Sequence, residues 1–249
     1  MRTGPLGRRV LAEFLGTGLL VTAVVGSGIA AARLSPGDIG LELLENTAAT
    51  VGALIALILA LGPVSGAHFN PVVTVVDRLF GGISTRDAAG YVGAQVLGAL
   101  GGALLANAMF ALPAFETSTR TRASGPLWLA EVVATFGLIV VIFAVVRSGR
   151  TAAAPFAVGA YIGGAYFFTS STSFANPAVT IGRTITNTFA GIRPSSAPGF
   201  IAMQLVGGLL AAGAVRILYP GVSESAGDVV LPHHPPTADR TVQRSELPA

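Results

Sequence analysis

Six apolar runs, each close to the length that crosses a lipid bilayer, constrain the fold of this chain more than any other feature. A helix needs about 20 predominantly apolar residues to span the hydrocarbon core, and backbone in lipid must satisfy its own hydrogen bonds. The runs lie at about 10–32, 47–64, 88–112, 127–147, 152–169 and 198–219. The first run exceeds the usual apolar segment of a signal peptide, so we interpret it as a span. The sequence therefore predicts an all-α membrane protein with six transmembrane helices.

The composition supports a membrane location and narrows the functional classes. Charged residues make up 11% of the 249 residues, whereas an average soluble domain has about 25%. The net charge is +3, but the arginines are scattered between apolar runs, so we predict no nucleic-acid partner. A chain without cysteine forms no disulfide and no thiolate metal site. No nucleophile–base pair or metal cluster is recognisable, so we predict no enzymatic activity, no metal and no cofactor.

The arginines also predict the orientation of the chain. With six spans both termini lie on one side, and the arginine-rich side of a membrane protein is the cytoplasmic one. The side of the termini holds Arg2, Arg8, Arg9, Arg78, Arg86, Arg147, Arg150 and Arg216, against Arg33, Arg120, Arg122, Arg183 and Arg193 on the other. We therefore predict a plasma-membrane protein with cytoplasmic termini. Residues 220–249 are polar and rich in proline, which predicts a disordered cytoplasmic tail.

The two halves of the chain, about 7–112 and 126–219, resemble each other in sequence. The matching markers are Leu11-Ala12-Glu13 with Leu129-Ala130-Glu131, SGAHFNPVVT at 65–74 with STSFANPAVT at 171–180, and Gln95-Val96-Leu97-Gly98 with Gln204-Leu205-Val206-Gly207. Each half contains three spans, an odd number, so the second half must enter the membrane from the opposite side. The pattern predicts an inverted repeat whose shared site lies near the midplane.

The two Asn-Pro boxes give the chain a family resemblance over roughly residues 7–219. They read Asn70-Pro71-Val72 and Asn176-Pro177-Ala178, and Ser65-Gly66-Ala67-His68 precedes the first. In these features the chain resembles the aquaporin and aquaglyceroporin family. The resemblance implies a channel domain at 1–219, built from six tilted helices and two re-entrant half-helices that meet at the midplane. It also implies a homotetramer surrounded by membrane lipid.

Each Asn-Pro box predicts the start of a short helix. Proline suits the first helical turn and asparagine caps it, while the stretches at about 70–80 and 176–187 are too short to cross the bilayer. Helix N-termini aimed at the midplane place about half an elementary positive charge there each, which opposes cations and protons. We expect the amides of Asn70 and Asn176 to face one pore. Val72 departs from the family's usual alanine at a position that faces helix packing.

Three polar side chains near the boxes have two interpretations each. Glu13 and Glu131 lie inside spans, where an ionisable group is costly and functional by default. They are either a proton relay or, as the family resemblance implies, acceptors for backbone N–H groups of the re-entrant loops. The symmetry of the pair favours loop support. His68 is interpreted as a hydrogen-bonded brace for the first loop rather than as a titrating gate.

The resemblance also indicates where a selectivity constriction lies. Family members usually carry an arginine directly after the second box, and this chain has Val179 there. Alignment without gaps puts Ser173, Gly164 and Thr50 at the other constriction positions. These residues are neutral and small, so we expect a filter that is wider and less polar than in water-selective or glycerol-selective members.

An alternative keeps an arginine in the constriction. Arg183, one helical turn beyond Val179, or Arg193 would then replace the missing side chain. A wide, neutral filter instead fits solutes larger than water. Relatives without the filter arginine include bacterial channels associated with arsenic resistance, and arsenous acid is an uncharged molecule that resembles a small polyol. Permeation by arsenite or antimonite hydroxides is therefore suggested by analogy with the family.

The sequence supports three functional hypotheses. The first is a passive channel for small uncharged solutes such as glycerol, other polyols and water. The second is a proton-coupled secondary transporter of a small neutral solute that uses Glu13 and Glu131. The third is a membrane scaffold that conducts nothing and retains the Asn-Pro boxes for folding. The doubled box favours the passive channel.

Overall fold

The computed structural model describes residues 4–220, and the predicted tail lies outside the described residues from Gly221 onward. The described part is helical and contains no β-strand. Six of its helices are long and apolar enough to cross a membrane, which confirms the six predicted spans. The α-helices are α1 Leu6–Leu34, α2 Ile39–Ser65, α3 Pro71–Phe80, α4 Thr85–Met109, α5 Gly125–Arg147, α6 Ala154–Phe168, α7 Pro177–Gly182 and α8 Ala197–Leu218.

Two of these helices, α3 and α7, are too short to cross a bilayer, with 10 and 6 residues. Each begins with proline directly after a capping asparagine, as the boxes predict. The first follows α2 and the second follows α6, so three crossings (α4, α5 and α6) lie between them. They therefore enter the bundle from opposite sides. The order of elements α1–α4 is repeated, inverted, by α5–α8.

The helices α1 and α4 run side by side in the same direction. Near their first residues Arg9 Nη2 lies 2.7 Å from Asp87 Oδ2, and further along the Thr22 hydroxyl donates to the carbonyl of Gly102 at 3.1 Å. The backbones approach so closely that a Cβ atom at Gly98 or Gly102 would clash with a carbonyl oxygen of α1, at 2.3 Å or 2.1 Å. In the second half, Gly207 of α8 faces the backbone of α5 in the same way. Small residues thus set the spacing of the helix pairs that surround the site.

The segment between α4 and α5 folds back over one end of the bundle. The backbone N–H of Ser118 donates to the carbonyl of Thr184 at 3.0 Å, and that of Arg193 donates to the carbonyl of Arg120 at 2.7 Å. These bonds attach the segment to the chain that follows α7. The same end of the bundle therefore carries arginines from two loops.

Gly102→Ala is expected to destabilise the protein, whereas Gly101→Ala is its matched control. The new methyl group at residue 102 collides with α1, and overpacking of this kind costs about 1–3 kcal/mol. Gly101 has no atom within 4 Å of its Cβ position, and alanine is a better helix former than glycine by about 1 kcal/mol. Thermal unfolding in detergent, followed by circular dichroism, measures both. Equal midpoints for the two variants would contradict the close approach of α1 and α4.

Candidate functional site

A cavity passes between the two half-helices and receives side chains from α1, α2, α5 and α6. Its wall on these helices is largely apolar: Leu20, Val24, Leu54, Ile58, Leu138, Ile142, Val158 and Ile162. The re-entrant loops, the half-helices and the turn that follows α7 form most of the rest of the wall, and both Asn70 and Asn176 reach it. The lining is therefore divided between an apolar face from the spans and a polar face from the loops.

The two asparagines are joined by a crossed pair of hydrogen bonds. Asn70 Nδ2 donates to the carbonyl of Ala175 at 2.7 Å, and Asn176 Nδ2 donates to the carbonyl of Phe69 at 2.8 Å. Each Oδ1 atom accepts from the first turn of its own half-helix, at 2.9 Å from Val72 N and 3.0 Å from Ala178 N. An amide nitrogen has two hydrogens, so each asparagine retains one N–H for a solute. The structure brings the two boxes together, with both amides in the cavity wall.

The loops before the boxes have a strained, alternating backbone. Ala67, Phe69, Ser173 and Ala175 all have positive φ, between 48° and 50°, although none is glycine. A non-glycine residue in the left-handed region costs of order 1–3 kcal/mol and persists only where its surroundings hold it. The equivalent backbone strain in the two loops indicates that each loop is held by the same kind of restraint.

Glu13 supplies that restraint in the first half. Its carboxylate accepts hydrogen bonds from the backbone N–H groups of His68 at 3.0 Å and Phe69 at 2.7 Å. It also accepts from the Ser65 hydroxyl at 2.6 Å and from Gln95 Nε2 at 2.8 Å. The side chain is fully buried and does not reach the cavity. We infer that this carboxylate holds the first loop.

Glu131 repeats the arrangement in the second half. It accepts from the backbone N–H groups of Phe174 at 3.0 Å and Ala175 at 2.9 Å, and from Gln204 Nε2 at 2.6 Å. It is also fully buried and lies outside the cavity wall. His68 differs from both carboxylates, because this residue lines the cavity, and its Nδ1 lies 3.0 Å from the Thr74 hydroxyl.

The constriction residues predicted from the sequence do not all meet. Thr50, Ser173 and Val179 line the cavity, but Gly164 is exposed on the outer face of α6, where its nearest neighbour is Phe168. The prediction for Gly164 is therefore wrong. Tyr166 lies in the wall instead, with its hydroxyl 3.3 Å from Thr50 Oγ1. A shift of two residues turns a helical side chain by about 200°, which takes it from one face of α6 to the other.

Arg183 lies in the cavity wall, which corrects the expectation of a less polar filter. It is 3% exposed, and its guanidinium carbon lies 3.4 Å from the centroid of the Phe174 ring. Its Nε donates to the carbonyl of Ala190. Val179 and Arg183 are four residues apart at the end of a helix, and such positions share a face. The arginine is thus displaced by one turn rather than lost, which is the alternative that the sequence analysis left open. Arg193 does not line the cavity.

A second arginine, Arg122 of the α4–α5 segment, lies close to the same aromatic ring. The guanidinium carbon of Arg122 lies 5.2 Å from the Phe174 centroid, and its Nε donates to the carbonyl of Gly191 at 3.0 Å. Burial, and then the neighbouring Arg120, lowers the pKa of Arg122 to about 10. The group therefore stays charged at neutral pH. We name this end of the cavity, where Arg183 lines the wall, the arginine end.

Sequence reasoning missed Tyr166, Phe174 and Asp77. Tyr166 was missed because α6 is apolar on all sides, so the apolar pattern does not show which residues of this helix face the cavity. The other two had a signal in the repeat alignment, where Phe174 corresponds to His68 and Arg183 to Asp77. Comparison of the repeats residue by residue beyond the boxes would have found both.

A six-helix bundle with a cavity between two re-entrant half-helices is the architecture of a membrane channel. The family profile described as Major intrinsic protein matches residues 1–175 and 151–243 of this chain. The chain belongs to that family. It is therefore a multi-pass membrane channel rather than an enzyme, as predicted.

Individual relatives agree with this assignment. The chain is 51% identical over 218 residues to Aquaglyceroporin AqpS of Rhizobium meliloti (strain 1021), which covers 88% of this chain and 93% of the relative. It is 42% identical over 103 residues to the Lens fiber major intrinsic protein of Gallus gallus, across 41% of this chain and 37% of the relative. The X-ray structure of the aquaglyceroporin from Plasmodium falciparum has the same fold, with a TM-score of 0.62 at 21% identity over 88% of this chain and 100% of that one.

Glu13→Gln and Glu131→Gln are expected to lower stability without abolishing conduction. The amide replaces an oxygen acceptor with a donor among N–H groups, and a buried donor left unsatisfied costs about 1–3 kcal/mol. Thermal unfolding and solute flux of the folded fraction in proteoliposomes measure the two effects. Glu116→Gln, on an exposed side chain, is the control. Loss of flux in a variant that folds normally would favour the proton-relay interpretation.

Proposed function

We propose that the protein is a passive channel for small uncharged solutes, of which glycerol-like polyols and water are the main class. The single observation that carries this proposal is the divided lining of the cavity, apolar on the spans and polar at the paired asparagines. A polyol has hydroxyl groups along one edge and C–H groups along the other. Such a molecule exchanges its hydration for the amide N–H groups while its carbon edge contacts the apolar wall.

The same lining opposes ions. Both half-helices direct their N-termini toward the asparagines, where the helix dipoles place positive partial charge. Arg183 adds a full positive charge at the arginine end. The apolar wall offers no compensation for the hydration that an ion of either sign must lose. Neutral molecules pass because they lose far less hydration free energy on entering the cavity.

The comparisons favour solutes larger than water. The relative that is 51% identical over 218 residues is described as an aquaglyceroporin, and glycerol is the solute class that this description implies. Arsenous and antimonous acids remain within the proposal, because both are uncharged hydroxylated molecules at neutral pH. Each of them offers hydroxyl groups to the same amide donors as glycerol does.

The proton-coupled alternative has less support from the geometry. A relay needs contact with the conducting path, whereas Glu13 and Glu131 are fully buried and outside the cavity wall. Their oxygens are already engaged by backbone and side-chain donors. We also propose a homotetramer in the plasma membrane with cytoplasmic termini, in keeping with the family resemblance and the distribution of arginines.

Moving the arginine from position 183 to position 179 tests which residue sets the constriction. Arg183→Val is expected to widen the pore, so that glycerol and arsenite uptake rise relative to water and cation leak increases. Val179→Arg alone is expected to reduce glycerol and arsenite uptake much more than water uptake, because it adds a second bulky cation at the arginine end. The double variant, with arginine only at 179, is expected to return toward the wild-type ranking of solutes. Stopped-flow light scattering of proteoliposomes, with arsenite uptake, measures all four proteins.

Two outcomes would oppose parts of this proposal. Unchanged selectivity in Arg183→Val would mean that Tyr166 and Thr50 set the constriction without the arginine. Glycerol flux in the wild type that equals the flux of protein-free vesicles would exclude the polyol channel. Water and arsenite flux at the same background level would in addition favour the non-conducting scaffold.

A further inference from the structure

The phenyl ring of Phe174 lies against the guanidinium group of Arg183 at the arginine end of the cavity. The guanidinium carbon is 3.4 Å from the ring centroid. At this distance the carbon lies over the face of the ring, because an approach in the ring plane would overlap the ring atoms. The face is the negative side of an aromatic ring and attracts a cation. The contact is therefore a face-on cation–π interaction between two residues of the cavity wall.

Other contacts fix the position of the Phe174 ring. The residue is 4% exposed and forms a small apolar cluster with Ile192 and Phe200. The rings of Phe174 and Phe200 meet edge to face, with their centroids 5.1 Å apart. The backbone N–H of Phe174 donates to Glu131 at 3.0 Å. None of these contacts involves an arginine, so the ring has a defined position without one.

The guanidinium group of Arg183 has little else to fix its orientation. Within residues 4–220 it makes one hydrogen bond, from Nε to the carbonyl of Ala190. A single bond from the inner nitrogen leaves the rest of the planar group free to turn. The N–H groups of the two terminal nitrogens remain available to water or to a solute. The ring of Phe174 is thus the second point at which the group is held.

The surroundings determine where the group would move without the ring. Arg122 is a like charge that lies 5.2 Å from the same ring centroid, and it does not line the cavity. The space that the ring would vacate is bordered by the apolar side chains of Ile192 and Phe200. A charged group avoids an apolar space that offers it no hydrogen bonds. We therefore expect the guanidinium of Arg183 to turn into the cavity, where water and solutes accept its hydrogen bonds.

We propose that Phe174 is a positioning residue that sets solute selectivity through Arg183. The face of its ring holds the guanidinium group against the cavity wall, so that the group lies beside the path of a solute rather than across it. The pore then keeps a charge that opposes cations without losing the width that a polyol needs. This inference rests on the proposed passive channel.

Replacement of Phe174 by a smaller residue distinguishes this role from that of a simple wall. A wall residue only fills space, so Phe174→Leu would widen the pore and raise glycerol flux. A ring that holds the arginine has the opposite effect on removal, because the displaced guanidinium narrows the pore. The sign of the change in glycerol flux therefore separates the two roles.

Solute flux through proteoliposomes measures this sign. In Phe174→Leu we expect glycerol flux to fall severalfold while water flux changes little. In a double variant with Arg183→Val, the leucine is expected to cause no fall relative to Arg183→Val alone. Phe200→Leu is the matched control, because it removes a buried ring of the same cluster that forms no cation–π contact within residues 4–220. It is expected to lower stability and to leave the ranking of solutes unchanged.

Site-specific replacement of Phe174 by pentafluorophenylalanine tests the electrostatic part of the proposal. The fluorine atoms reverse the charge distribution of the ring face, whereas the ring still fills its site. We expect the same fall in glycerol flux, and no fall when Arg183→Val is also present. A fall that persists with Arg183→Val would reflect the size of the ring and would overturn the role through the arginine. This variant keeps the proposal testable where Phe174→Leu does not fold.

The position of the guanidinium group can also be determined without any flux measurement. In a structure of Phe174→Leu determined by electron cryo-microscopy, we expect the Arg183 guanidinium to project into the cavity, and in Phe200→Leu we expect it to stay in place. An unmoved guanidinium in Phe174→Leu, or a glycerol flux that is unchanged or raised in this variant, would overturn the proposal. A wild type that passes no glycerol would instead refute the channel function, and the structure of the variant would still decide the role of Phe174.

Discussion

The structure depends on two buried carboxylates that hold non-helical backbone at membrane depth. Lipid offers no hydrogen bonds to such backbone, so it persists only where protein groups satisfy it. Glu13 and Glu131 each bind two successive N–H groups of a re-entrant loop, and a glutamine from the third span of the same half binds the same carboxylate. With the loops fixed, the half-helices begin at defined points. The position of the asparagines, and so the polar face of the pore, follows from these contacts.

The two halves share this framework but differ where their side chains reach the pore. The boxes, the threonines and the glutamates are repeated, whereas the aromatic and charged positions beside the boxes are not. A cation over a phenyl ring occupies one end, and a histidine next to a carboxylate occupies the other. Both halves thus have the residues that satisfy the backbone of the re-entrant loops. They differ in the side chains two residues before and seven residues after each box asparagine.

Most of the fold could be predicted from the sequence, because length and apolarity specify spans, and proline after asparagine specifies a helix start. The roles proposed for Glu13 and Glu131 could be formulated for the same reason, since a charge within a span needs partners. The constriction could not be predicted at this level. Gly164 was assigned through a register that an all-round apolar helix does not define, and Tyr166 was overlooked in consequence. Arg183 remained an alternative, because sequence spacing alone does not say whether a long side chain turns toward the cavity or toward a loop carbonyl.

The crossed bonds of the asparagines bear on how the chain is made. Asn70 donates to the carbonyl of Ala175, which is 105 residues later in the sequence. A ribosome that inserts the chain from its N-terminus delivers the first half-helix long before the acceptor for its amide exists. Asn176, by contrast, finds the carbonyl of Phe69 already in the membrane. Until the second half is inserted, the first loop is therefore held mainly by Glu13. Both asparagine hydrogen bonds can form only when the second half packs against the first. Neither half is complete by itself in lipid. Assembly ends when the two asparagine hydrogen bonds form between the halves near the centre of the bilayer.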